Sequence, residues 1–266
     1  MNAWWILVPV LALGAALLAL APLGTHVLRR GVVFIDLAIA QSAAAGALAA
    51  LSLGRHPAWW VTQTAAILSA LVAAGVVALL ARRWPAQREA LIGLIYVASA
   101  TLALLTASND PHGSEHLHAL LAADVLWAES PQVAALSLCA LAVWATRRKL
   151  HHDRWFYPIF AAVASIAVQT LGLFVVFAAL ITPALWQLRR GWAVAAALAL
   201  SGLACGVGLG VSWLVDAPSG PLIALSLATT GVLSIWAPGI IVGDPRLPPG
   251  QSGHPPADRR PEPHHD

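Results

Sequence analysis

The sequence predicts an all-α fold, a polytopic bundle of transmembrane helices with about eight spans and a broken or re-entrant central segment. Three observations lead to this prediction. The chain is 59% hydrophobic and only 10% charged, which is too little charge to cover the surface of a soluble domain. Apolar runs of about 18 residues or more recur along it. The basic residues lie mostly in short clusters between these runs, where they set the orientation of each span.

The apolar runs predict the spans in order. Outside the central segment they cover approximately residues 4–23, 31–53, 58–80, 90–107, 131–146, 192–215 and 221–242. No basic residue precedes the first run, so it is interpreted as a span and not as a cleavable signal. Positive charge stays on the cytoplasmic side, which places these segments inside together with the C-terminus: 24–30, 81–89, 147–155 and 189–191. The segments 54–57, 108–130 and 216–220 then face outward, with the N-terminus.

The central segment, residues 156–188, carries no charged side chain and has basic residues on both flanks. Its 33 residues would extend about 50 Å as one helix, against a hydrocarbon core of about 30 Å. Two inward ends require an even number of crossings or a re-entrant excursion, with Gly172 and Pro183 as the expected breaks. Broken backbone at membrane depth must be satisfied by protein or by a water-filled cavity, so the segment is expected to line a conduit. One tilted helix with an interfacial turn is the alternative.

Residues 1–243 are predicted to form one membrane domain and residues 244–266 a disordered cytoplasmic tail, rich in proline and charge. The tail histidines His254, His264 and His265 suit either weak metal binding or simple solvation.

The net charge of +3 comes from the inter-helix clusters, so it reports membrane orientation and not nucleic-acid binding. Small residues at i, i+4 and i+8 predict close helix packing at Ser42, Gly46 and Ala50 and at Gly202, Gly206 and Gly210.

Polar side chains at membrane depth are the candidates for a translocation path, because burying them costs free energy. Asp36 lies about five residues into the second span, where it either belongs to the path or pairs with Arg29 or Arg30 near the interface. Gln41 and Gln169 lie deeper, where each either bridges helices or lines a path. Thr182, in the central segment, completes the set.

The longest outward loop contains His112, Glu115, His116 and His118. His112 and His116 are spaced i, i+4, and imidazole with carboxylate suits Zn²⁺ and neighbouring divalent ions. The spacing is not that of a closed structural site, so a metal-collecting loop and a solvated polar loop both remain open. The sequence contains no phosphate-binding loop, no HExxH and no CxxC, and the chain is therefore predicted not to be an enzyme.

Four stretches together resemble the membrane permease subunit of bacterial ATP-binding-cassette importers for divalent metals, the zinc, manganese and iron class. They are RRGVVFIDLAIAQSAAAGALAA, HGSEHLHALLAADVLW, FYPIFAAVASIAVQTLGLFVVFAALITPA and DAPSGPLIAL. The resemblance implies half of a homodimeric channel in the bacterial inner membrane, surrounded by lipid. It further implies an ATPase subunit inside, a metal-binding protein outside, no permanently bound cofactor, and Zn²⁺, Mn²⁺ or Fe²⁺ as the transported solute.

In this family the segment before the central stretch docks the ATPase, which here implies Arg147, Arg148, Lys149, Asp153 and Arg154. The chain also departs from the family. Many members carry Gly-Asp and then His in the second span, where this sequence has Asp36 one place early and Gln41 at the histidine position. This departure leaves the identity of the metal open.

Two other classes of function are weighed against the permease. A stand-alone ion- or proton-coupled transporter usually holds several charged groups at mid-membrane, and here only Asp36 qualifies. An intramembrane enzyme or metal sensor needs convergent acids or histidines within the bundle, which the sequence does not show.

Overall fold

The computed structural model describes residues 4–53, 58–108 and 125–236, together with Gly113, Glu115, Leu117 and Ala123. This part of the chain is helical throughout, without strands, which confirms the predicted class. The helices are α1 Trp4–Arg30, α2 Ile35–Leu53, α3 Trp59–Arg83, α4 Arg88–Ser108, α5 Ser130–Thr146, α6 Asp153–Leu171, α7 Leu173–Arg190, α8 Val194–Val215 and α9 Ser219–Trp236. A short 3-10 turn, Val125–Trp127, precedes α5.

The central segment is divided at Gly172, as predicted. Gly172 has φ +80° and ψ 159°, a conformation that is accessible to glycine and strained for other residues. It ends α6 and begins α7 without an intervening loop. Pro183 was expected to be a second break, and this expectation is wrong, because α7 continues through it to Arg190.

Both ends of this helical hairpin lie at the same end of the bundle. The first residue of α6, Asp153, pairs with Arg30 at the end of α1. At the end of α7, Arg190 donates to the carbonyl oxygen of Ser234, 3.2 Å away in the last turns of α9. The first residue of α9, Ser219, lies at the opposite end, where its hydroxyl accepts from the backbone N–H of Val125 at 3.0 Å. The hairpin therefore runs through the bundle and back to the end at which it begins.

Helix α1 is longer than predicted, since residues 24–30 continue the helix instead of forming a loop. Pro22 has no N–H to donate to the carbonyl of Leu18, four residues earlier. The indole Nε1 of Trp144 in α5 donates to this oxygen at 2.9 Å instead. A backbone group freed at membrane depth is thus satisfied by a neighbouring helix, as the absence of water requires.

Small residues bring helices together at only one of the two predicted stripes. A Cβ on Gly46 would lie 2.6 Å from the Cβ of Ser69, so α2 and α3 are in close contact there. Nearby, the hydroxyls of Ser42 and Ser99 are 2.7 Å apart across α2 and α4. The prediction for Gly202, Gly206 and Gly210 is wrong within this chain, because a Cβ on any of them would meet nothing within 4 Å.

On α8 the close approach is made by Gly208 instead, on the opposite face, where a Cβ would lie 2.6 Å from the Cα of Ile223 in α9.

Six of the described helices are long and apolar enough to cross a membrane by themselves. Exposed Leu and Val side chains on α3, α4 and α8 face away from the bundle, as lipid contact requires. The predicted tail, residues 244–266, lies outside the described residues.

Site-directed labelling tests the hairpin. With Cys139 and Cys205 replaced by alanine, single cysteines at the exposed positions His151 and Trp192 should react with an impermeant maleimide only in inverted vesicles. The control Asp216→Cys, exposed at the other end of the bundle, should react only in right-side-out vesicles. Labelling of His151→Cys and Trp192→Cys from opposite sides would show that the segment crosses an odd number of times.

Candidate translocation path and docking surface

Asp36 is the most unusual buried group in the described helices. It is the second residue of α2 and is 0% exposed. Neither carboxylate oxygen has a hydrogen-bond partner among the described residues. The alternative of an interfacial ion pair is not observed, because Arg29 is exposed and Arg30 contacts Asp153. The N-terminus of α2 supplies only a partial positive charge, so this carboxylate is left available to a cation.

The link between α1 and α2 is held in place by the first turn of α4. Glu89 Oε1 accepts from the backbone N–H of Val33 at 2.9 Å, while Glu89 Oε2 is buried without a partner among the described residues. A Cβ on Gly31, which has φ +62°, would lie 3.0 Å from Arg88 Nη2. These contacts fix the position of the chain entering α2, and with it the position of Asp36. Sequence reasoning missed Glu89, whose only signal was one acid within a basic loop.

The two glutamine candidates differ in their surroundings. Gln41 is buried in α2, at 5% exposure. Gln169 is half-buried, and its Nε2 donates to the carbonyl of Ser165 in its own helix at 3.2 Å. This hydrogen bond therefore does not bridge two helices. Sequence reasoning passed over Gln63 in α3 and Ser165 in α6. Gln63 Nε2 and Ser165 Oγ are both buried without partners among the described residues.

Thr182 bridges two helices. Its hydroxyl donates to the carbonyl of Leu227 in α9 at 2.9 Å, and a Cβ on Gly231 would lie 3.0 Å from the same hydroxyl. Thr182 is 2% exposed, so the interaction is dry. The side chain therefore joins α7 to α9 where the two backbones approach closely.

The segment predicted to dock an ATPase lies between α5 and α6. Arg147, Arg148, Lys149 and Arg154 are exposed there. The Arg147 guanidinium lies 5.4 Å from the centre of the Trp144 ring, and Lys149 Nζ lies 5.1 Å from the Trp155 ring, so neighbouring aromatic rings support two of these cations. Leu150 is 0% exposed and anchors the middle of the turn in the bundle.

Asp153 differs from the other four docking candidates because its carboxylate is bound within the protein. Oδ1 lies 3.4 Å from Arg30 Nη2, and Oδ2 lies 3.6 Å from Arg82 Nε. Arg30 also donates to the carbonyls of Leu150 and His151, each at 3.0 Å. Two arginines, from the ends of α1 and α3, thus hold the docking segment against the bundle.

The predicted outer metal loop is largely outside the described residues, including His112, His116 and His118. Glu115 is described and is exposed. Within the part of the chain that the structure describes, no three His, Cys, Asp or Glu side chains converge to hold a metal ion.

Comparison with known proteins decides the family. The model of the ABC 3 transport family matches residues 4–153 and 150–238, which together span nearly all of the helical bundle. The chain belongs to the ABC 3 transport family. It is therefore the membrane permease subunit of an ATP-binding-cassette transport system, and ATP hydrolysis belongs to a separate subunit. The resemblance of the sequence to the permease subunits of ATP-binding-cassette transporters is thus confirmed.

A solved structure shares the fold of this ABC 3 family permease. It is PsaBC from Streptococcus pneumoniae in complex with Fab, with a TM-score of 0.69 at 15% identity. The alignment covers 87% of this chain and 91% of that chain, so the likeness extends over the whole bundle. No curated protein matches the chain in the sequence comparison.

Thr182 allows a test of whether this position is structural. Thr182→Val keeps the shape but removes the hydroxyl that donates to Leu227, so we expect a loss of stability of about 1 kcal/mol. The thermal unfolding midpoint of the detergent-purified permease measures it. Thr229→Val is the matched control, since the exposed Thr229 hydroxyl bonds only within its own helix. Reduced transport at unchanged stability would contradict the structural role and leave Thr182 as a path residue only.

Proposed function

We propose that this permease passes a divalent metal ion into the cytoplasm, with zinc as the first candidate and manganese and iron as the others. The observation that carries the proposal is Asp36, a fully buried carboxylate without a hydrogen-bond donor among the described residues. A negative charge in the bundle is costly unless a proton or a metal cation neutralises it, so the ionised Asp36 favours a visiting cation. No three metal-ligating side chains converge in the described part of the chain, which suits the transient binding that a path requires and a storage site does not.

The path that we propose includes Asp36, Gln41, Gln169 and Thr182. Gln63 and Ser165 extend it, because they are buried and lack partners among the described residues. Helices α2, α3 and α6, which carry Asp36, Gln63 and Ser165, pack against one another. The side chain of Gln63 lies on the buried face of α3, together with a row of alanines.

The working unit that we propose is a homodimer in the bacterial inner membrane, with an ATPase subunit inside and a metal-carrying protein outside. The exposed cations Arg147, Arg148, Lys149 and Arg154 are the proposed ATPase contact. The outer residues His112, Glu115, His116 and His118 are proposed to meet the arriving metal. Family membership favours this ATP-driven mechanism over the stand-alone secondary transporter.

Replacing the buried carboxylate tests the path. In a deletion strain, Asp36→Asn should lower uptake of the transported metal by about tenfold or more, because the lost charge acted in a low-dielectric site. Uptake of zinc, manganese and iron is measured separately. Asp216→Asn is the control, since it makes the same change at an exposed carboxylate outside the proposed path. Wild-type uptake of all three metals by Asp36→Asn would contradict the proposal.

Charge reversal tests the docking surface. The double change Arg147→Glu and Arg148→Glu should abolish co-purification of the ATPase subunit, because like charges would then face each other across the contact. Arg83→Glu is the matched control, an exposed arginine at the same end of the bundle but outside the docking segment. ATPase binding that survives the double change would refute the docking assignment.

A further inference from the structure

The guanidinium of Arg30 is the point where the docking segment meets the transmembrane helices. Its Nη2 reaches the carbonyl oxygens of Leu150 and His151 at 3.0 Å, and its Nε and Nη2 both lie 3.4 Å from Asp153 Oδ1. Its Cζ lies 4.1 Å from the centre of the Phe156 ring. One side chain thus holds the turn before α6, the first residue of α6 and its first helical turn.

These contacts use the particular shape of arginine. The guanidinium offers several N–H donors in a fixed plane and stacks on aromatic rings, which a lysine ammonium cannot do in the same geometry. The carbonyls of Leu150 and His151 come just before α6 begins and are not used within that helix. Because Arg30 ends α1, a displacement of this turn is transmitted directly to the end of α1.

The same end of α1 leads directly to the buried carboxylate. Residues 31–34 join Arg30 to α2, and Glu89 holds this link through the N–H of Val33. Asp36 follows as the second residue of α2. Arg82 at the end of α3 shares Asp153 with Arg30, and α3 packs against both α2 and α6. The docking segment and Asp36 are thus joined by the Arg30 guanidinium and the five residues of chain between Arg30 and Asp36.

We propose that Arg30 is the coupling residue of this permease: it positions the docking segment and passes displacement of that segment to the α1–α2 link and Asp36. The proposal rests on the function proposed above. Arg30 is a positioning residue and does not itself touch the ATPase or the metal. It acts on the efficiency with which ATP hydrolysis drives transport, and not on the affinity of either partner.

The test uses the full complex in proteoliposomes and measures metal transported per ATP hydrolysed, with ATPase binding measured separately. Arg30→Gln should leave ATPase binding near its wild-type level and lower transport per ATP by about tenfold or more. Arg29→Gln, which alters the adjacent exposed arginine, should change neither quantity. An unchanged ratio in Arg30→Gln would overturn the proposal, and so would an equal loss of binding and transport, since that is what a purely structural role predicts.

A second measurement needs no ATPase. In the purified permease, Arg30→Gln should speed hydrogen exchange in residues 149–155, because the turn loses its anchor, and Arg29→Gln should not. Equal exchange in both variants would overturn the positioning role. If Arg30→Gln does not survive purification, Arg30→Lys keeps the charge but not the planar set of donors, and wild-type coupling by Arg30→Lys would equally overturn the proposal. A wild-type complex that moves no metal with ATP overturns the proposed function, and this inference with it.

Discussion

The structure depends on one constraint, that backbone polar groups at membrane depth have no water to bond and must be satisfied by protein. Trp144 supplies the donor that Pro22 cannot give to the Leu18 carbonyl. Arg190 donates to the Ser234 carbonyl near the end of α9. At Gly172 α6 ends and α7 begins without an intervening loop, which limits the unpaired backbone groups to the two helix ends. The carbonyls of Leu18 and Ser234 are thus each matched by a side-chain donor from a neighbouring helix.

Asp36 departs from this constraint, and the departure has functional meaning. The buried hydroxyls of Ser42, Thr170 and Thr182 each donate to a backbone carbonyl, whereas the Ser165 hydroxyl, like the Gln63 amide nitrogen, has no partner among the described residues. The Asp36 carboxylate can only accept while it is ionised, and no described donor reaches it. An ionised carboxylate without a partner is unfavourable inside the bundle, so the binding of a cation to it lowers the free energy of the protein. Such a group suits a path in which occupancy is brief, because it favours entry without supplying enough ligands to retain the ion.

The sequence predicted what depends on local pattern and charge, and missed what depends on contacts between distant segments. Apolar length and paired basic flanks were enough to predict that the central segment breaks and returns to the side on which it begins, because the cost of moving charge across lipid acts on the sequence directly. Whether it returns by two crossings or by re-entry was left open by the sequence. Pro183 was misread because a proline within a helix need not break it when neighbouring helices pack around it. The stripe of Gly202, Gly206 and Gly210 was misread because the spacing of small residues shows that they share one helix face, but not whether another helix packs against that face.

Arg30 is a second example of a role that the sequence alone cannot show. In the sequence it is one of two adjacent arginines, and the positive-inside rule accounts equally well for both. Only the fold separates them, since Arg30 reaches carbonyls 120 and 121 positions away while Arg29 is exposed. The fold also distinguishes Asp153 from the other docking candidates, because its carboxylate contacts Arg30 and Arg82 within the chain. The other four candidates are exposed cations, so an ATPase that binds them by electrostatic complementarity must present an acidic surface.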